Sequence, residues 1–209
     1  MRRAALLLFV LAPVPAAMQA QVCTGQAPWS AGSMKVGGSL EFGNGVTDIL
    51  GGIGFGKDKG MFVHAEGGVV TGHGDSGFEV GGGLGWEMKK PITDKVELCP
   101  IVNAHASFGY FDTNEQTILG GATAGYPLNM QGNVGVTLTG GLQLGFDHFS
   151  ISDCPSTVDC SSSDFVGQLD AGAGFIFNNR ITLLPLLVIP INNGDLRFFI
   201  GVNVAIGRK

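Results

Sequence analysis

His105 and Ser107 stand two residues apart in Asn103-Ala104-His105-Ala106-Ser107-Phe108. Residues i and i+2 share one face of a strand, so an imidazole lies beside a hydroxyl there. Such a pair works as base and nucleophile only when a third group orients the ring, and the sixth alternating segment, 117–127, offers no acidic residue opposite the histidine. His64-x-Glu66 likewise places two potential metal ligands on one face. A metal centre needs a third ligand, which the spacing does not supply, so no metal and no cofactor are expected. His73 and His148 fall between the alternating segments and read as solvated loop residues. The runs Gly81-Gly82-Gly83 and Gly51-Gly52 open no helix, which removes a phosphate-cradling loop.

These side chains need elements to hold them, and the elements are strands. From Val134 to Phe146 the residues Val134, Val136, Leu138, Leu142, Leu144 and Phe146 fall in one register, while Gly, Thr and Gln fill the other. That is period two, with one apolar face and one small or polar face. The same reading predicts strands over 33–43, 46–56, 61–71, 77–88, 95–109, 117–127, 133–146, 164–177, 180–191 and 195–207. Turn chemistry separates them, as at Gly43-Asn44-Gly45, Lys89-Lys90-Pro91 and Asn192-Asn193-Gly194. The second and sixth segments, rich in Gly and Ala, have the weakest pattern. Eight strands are the alternative if these two merge with neighbours.

One register of every strand collects the polar residues. It holds Lys35, Glu41, His64, Glu66, Glu79, Glu87, Glu97, His105, Asp170 and Arg197, with many glycines. The other is apolar, and its aromatics sit at the strand ends: Phe42, Phe78, Tyr110, Phe146, Phe165 and Phe198 toward one end, Phe55, Trp86, Tyr126 and Phe177 toward the other. Phe78 and Trp86 are eight residues apart, roughly 26 Å along a strand and about 20 Å once tilted. Two aromatic belts bracketing an apolar band match a bilayer and its two interfaces. A water-facing surface would carry Lys, Glu and Thr where glycine stands here; a narrow lumen favours small side chains. The expected fold is therefore all-β: a closed antiparallel transmembrane β-barrel of about ten strands, over residues 33–209. The polar register becomes a lumen network, most simply a set of structural ion pairs. Its carboxylate excess would favour cations in any passage.

Arg2 and Arg3, the apolar run Ala4 to Ala12 and a small-residue exit to Ala20 read as a cleaved signal peptide, residues 1–20. Residues 21–32 then form a periplasmic N-terminal segment. The net charge of −5 and the absence of a basic run argue against nucleic acid. Glycine is abundant, 35 of 209 residues, without a collagen period and with too many apolar residues for a disordered chain. The connections 110–116 and 147–163 are the longest and fall on the side opposite the N-terminus. Four cysteines in an oxidising compartment predict disulfides. Cys154 and Cys160 bracket five residues of the long 147–163 connection. Cys99, inward at the other end, is expected to pair with Cys23.

With signal peptide, alternating strands, aromatic belts and long outer loops, the chain from about Met34 to Gly207 resembles the small outer-membrane β-barrel proteins of Gram-negative bacteria. The resemblance implies an outer-membrane location, contact with outer-membrane lipids and with the barrel-assembly machinery during biogenesis, and a monomer. His105-x-Ser107 also resembles the His-x-Ser element of outer-membrane lipid A deacylases, although Phe108 follows where that family has asparagine. The reading adopted is a non-enzymatic outer-membrane barrel with a structural, adhesive or weakly pore-like role. A lipid hydrolase using His105 and Ser107, and a soluble ligand-binding barrel, are the alternatives.

Overall fold

The computed structural model describes residues 32–57, 60–93, 95–128, 133–151, 160–192 and 194–206. The expected signal peptide (1–20), all of the expected N-terminal segment 21–32 but Gly32, and with them Cys23 and Cys154, lie outside the described residues. The strands are β1 Met34–Gly43, β2 Val46–Gly56, β3 Met61–Gly72, β4 Asp75–Trp86, β5 Met88–Thr93, β6 Val96–Tyr110, β7 Thr113–Leu128, β8 Val134–Ile151, β9 Ser161–Phe177, β10 Ile181–Pro190 and β11 Arg197–Ile206. Each pairs antiparallel with its sequence neighbours, except that β4 and β5 both pair with β6 and together make one stave. β1 pairs with β11 from Met34↔Ile206 to Phe42↔Phe198, which closes the sheet. The molecule is a closed antiparallel barrel of ten staves, not eight. Closure matters because a free edge in hydrocarbon would leave backbone groups unpaired, at several kcal/mol each.

The hairpins follow from residues that tolerate positive φ. Asn44 and Gly45 (φ 46° and 76°) turn β1 into β2, and His73 and Gly74 (50° and 88°) turn β3 into β4. Such two-residue turns match the twist of the strands they join. All of these lie at the end away from Met34 and Ile206, called the outer end below. Here the structure departs from the expected loops. Phe111 and Asp112, both at positive φ, form a two-residue turn, so β7 already begins at Thr113. Likewise β8 runs on to Ile151 and β9 starts at Ser161, which confines the long connection to 152–160. At the inner end Lys89-Lys90-Pro91 is no turn; it lies within β5, where the strand continues beyond β4 along β6.

The outward face is apolar around the barrel. Phe78 and Phe146 are 70% and 66% exposed, and Phe42, Phe165, Phe198, Phe55, Trp86, Tyr126 and Phe177 are exposed too. Phe42 packs on Phe198 at 5.2 Å between ring centroids, and Phe146 on Phe165 at 5.7 Å. Exposed apolar area of this extent in water would drive association, whereas in lipid it is the required surface. Two residues differ from expectation. Val136 shares the outward register but is only 8% exposed. Tyr110 leaves the outer belt altogether. Gly109 adopts φ 79°, and the pairing shifts between Phe108↔Asn114 and Tyr110↔Thr113. This one-residue bulge turns Tyr110 into the lumen and leaves Phe108 exposed outside.

The interior is divided along its length. At the inner end Phe62, Cys99 and Ile101 form a buried cluster. Thr137, Ile176 and Thr182, at the same ends of their strands, are also buried, as are Lys35 and Glu87. Toward the outer end the lumen opens into a cavity of about 750 Å³.

Candidate functional site

The cavity is built from the inward register of all the long strands. Eight carboxylates line it, against Lys35, Arg197 and two histidines. Glu41, His64, Glu66, Glu79, His105, Asp170 and Arg197 all border it. Lys35 reaches its floor and is buried in the field of Glu87, which is itself buried at the inner end. Glu97 shares the inward register of Cys99 but stands below the cavity, one residue into β6.

A chain of side chains runs round the wall from β6 to β1. Asn103 Nδ2 donates to Gln143 Oε1 (2.9 Å), and Gln143 Nε2 donates to Asp170 Oδ2 (2.8 Å). Gln168 Nε2 donates to Asp170 Oδ1 (3.3 Å), and Arg197 Nη2 reaches Gln168 Oε1 at 3.5 Å. Arg197 Nη1 then lies 2.7 Å from Glu41 Oε1 across the β11–β1 seam. A second group starts from the same strand, β6, and runs the other way to β4 and β3. His105 Nδ1 is 3.3 Å from Glu79 and Nε2 is 3.6 Å from Glu66. The inward glycines make this packing possible: a Cβ at Gly81 would lie 2.5 Å from His105 Nδ1.

Several lining residues escaped the sequence reading. Asp48 lies in the glycine-rich second strand, yet its alternation with exposed Ile49 was present to be read. Glu115 and Asp147 fell in stretches expected to be loops; both are in strands, and Thr117 Oγ1 donates to Asp147 Oδ1 at 2.9 Å. Gln143 and Gln168 lie on strands found correctly, but an uncharged amide carries no sequence signal of a network role. His148, expected in a loop, is in β8, exposed, and 2.8 Å from Ser163 Oγ through Nδ1.

As expected, the 117–127 strand places no acid opposite His105, where Thr117 stands; the acid beside the ring comes from the other neighbour, Glu79 on β4, which lies across from Ser107. The arrangement nevertheless opposes a hydrolase at His105 and Ser107, because each ring nitrogen faces a carboxylate rather than the hydroxyl. Both residues also point into the lumen, while acyl chains would lie beyond the wall. Among the described residues no three His, Cys, Asp or Glu side chains converge as a metal site requires. No described cysteine is a free thiol; Cys99 is fully buried and its partner is not among the described residues.

A closed barrel with an apolar exterior and a polar, side-chain-lined lumen defines a small transmembrane β-barrel protein. No protein-family model and no curated protein matches the chain. Among solved structures it is similar to the KdgM porin, at 12% identity and a TM-score of 0.39, covering 83% of this chain and 99% of that one. It is similar also to the N-terminal β-barrel domain of Pseudomonas aeruginosa OprF, at 14% identity and a TM-score of 0.37, covering 84% and 98%. A third is described as a bacterial polysaccharide outer membrane secretin, at 9% identity and a TM-score of 0.39, covering 85% and 99%. At this distance the likenesses carry no residue roles, and the class rests on the barrel itself.

Proposed function

We propose that the chain is an outer-membrane barrel without catalytic activity, whose role is weakly pore-like: a narrow passage that admits cations from the outer side. The observation that carries this reading is the cavity of about 750 Å³ with eight carboxylates and two strongly basic side chains on its wall. Carboxylate-lined constrictions favour cations because the wall replaces part of the ion's hydration and repels anions. The packed inner end argues for low conductance, since Phe62, Cys99 and Ile101 leave little room there. The outer membrane is favoured because the lipid-facing apolar belt is formed by the strands of a closed barrel. The outward apolar belt likewise argues against the soluble ligand-binding barrel, which would present the glycine-rich face to water.

The test is planar-bilayer recording of refolded protein under a salt gradient. Small conductance steps with a cation-selective reversal potential are expected. Anion selectivity, a wide-pore conductance, or silence from protein shown to be folded would overturn the reading.

A further inference from the structure

We infer that the outer cavity is a binding site for an extended organic polycation, with a linear polyamine as the chemistry that fits. The inference builds on the acidic-lumen reading above but concerns occupancy rather than passage.

Acidity alone would not point to a ligand; unfilled acceptors inside the cavity do. Thr123 lines it, is 5% exposed, and its Oγ1 has no hydrogen-bond partner. Asp48 Oδ1 is buried and also lacks a partner. Asp48 stands directly across from Glu41 in the β1–β2 register. Two like charges facing each other across a strand pair destabilise the sheet, and a shared proton or a bound cation relieves the repulsion. Arg197 approaches Glu41, and Asp48 Oδ1 is left without a hydrogen bond. Thr123 packs over Gly141, where a Cβ would come within 2.7 Å of Thr123 Cγ2 and 3.5 Å of Asp170 Oδ2, so the missing side chain lets Thr123 and Asp170 sit side by side on the wall. Buried acceptors without donors cost free energy, and a ligand carrying N–H groups would satisfy them.

The distribution selects the kind of cation. Among the described residues no three His, Cys, Asp or Glu side chains are grouped so that they could hold a metal ion, which disfavours a compact divalent ion. The carboxylates are instead spread in depth, from Asp195 near the outer turns to Glu66 and Asp170 midway along β3 and β9. Between them the wall carries apolar Leu50, Leu119, Leu186 and Phe199. Ammonium groups separated by methylene segments match an alternation of acid and apolar surface; a hydrated metal ion does not.

The experiment is calorimetric titration of the refolded full-length chain with spermidine at about 0.15 M salt, with folding confirmed by slower unfolding of the unboiled barrel on a gel. Saturable binding is expected, not displaced by Mg²⁺ at matched ionic strength. Asp48→Asn and the nearly isosteric Thr123→Val should each weaken it about tenfold. Asp164→Asn, an exposed acid outside the cavity, should leave it unchanged. Absence of saturable binding, full displacement by Mg²⁺, equal loss in Asp164→Asn, or indifference to both cavity substitutions would overturn the site. The two readings separate cleanly. Cation-selective conductance without spermidine binding removes this site alone, and binding without conductance removes the passage alone.

Discussion

Arg197 crosses the closing seam of the barrel to reach Glu41, with Nη1 2.7 Å from Oε1, by lying over Gly43. A Cβ at Gly43 would sit 3.0 Å from Arg197 Cγ, so the missing side chain makes room for the arginine's path. The contact is an ion pair without the alignment of a hydrogen bond, since Glu41 Oε1 has none. Arg197 is also 42% exposed, and solvent screens the attraction. Double-mutant cycles with Arg197→Met and Glu41→Gln, followed by urea unfolding in liposomes, should therefore give a coupling of only about 1 kcal/mol. Coupling indistinguishable from zero would mean the pair does not help hold β1 to β11.

The same seam tests which face meets lipid. Val202 and Asn203 are neighbours on β11; Val202 is exposed outward and Asn203 lines the cavity. Arginine at Val202 should destabilise by about 2–4 kcal/mol if that depth is near the bilayer midplane. Arginine at Asn203 enters a polar lumen with carboxylates at hand and should cost clearly less. Equal losses in unfolding free energy would contradict the assigned register.

Most of the architecture was legible because period two is a local property. All ten staves begin within about four residues of where the alternation and the turn residues predict, and the inward placement of Glu41 and Arg197 followed from the same count. What was not legible arises where one backbone event resets the count. Gly109 adds a residue to β6, and every assignment beyond it inverts, so Tyr110 moves from the lipid belt to the lumen. Polar stretches such as 113–116 and 147–151 resemble loops in composition. They are strands because each is paired across β6, β7 and β8, a fact of tertiary register. The meeting of His105 with Glu79 and Glu66 joins three strands and has no signal in local spacing.

Two glycines on β7 and β8 should respond oppositely to alanine. A Cβ at Gly145 would collide with the backbone carbonyl oxygen of Ile118, which cannot swing aside as a side-chain tip could. At Gly120 the nearest atom is Val102 Cγ2, 4.0 Å away. Gly145→Ala should cost about 1–3 kcal/mol by overpacking the wall. Gly120→Ala should be neutral or stabilise by about 0.4–1 kcal/mol, because alanine narrows the unfolded ensemble. Thermal unfolding of the two variants in the same detergent compares them directly, and a Gly145→Ala protein as stable as the parent would show that the strands there are looser than described.

The predicted disulfides divide by barrel end. Cys99 is fully buried beside Phe62 and Ile101 at the inner end, opposite Thr123, whereas Cys160 lies next to β9 at the outer end. Neither is a free thiol. Cys154 is only six residues before Cys160 in the same outer connection, which leaves Cys23 for Cys99. About ten extended residues separate Cys23 from β1 and span at most ~36 Å, enough to cross the base of a small barrel. The predicted Cys23–Cys99 bond closes a loop of about 75 residues, for which chain-entropy arguments give about 4 kcal/mol. Peptide mapping without reduction should recover Cys23 joined to Cys99 and Cys154 joined to Cys160. Under mild reductant the bond at Cys160 should open first, because Cys160 is only part-buried while Cys99 is enclosed. A Cys23 peptide recovered free, or joined to either outer cysteine, would refute the pairing.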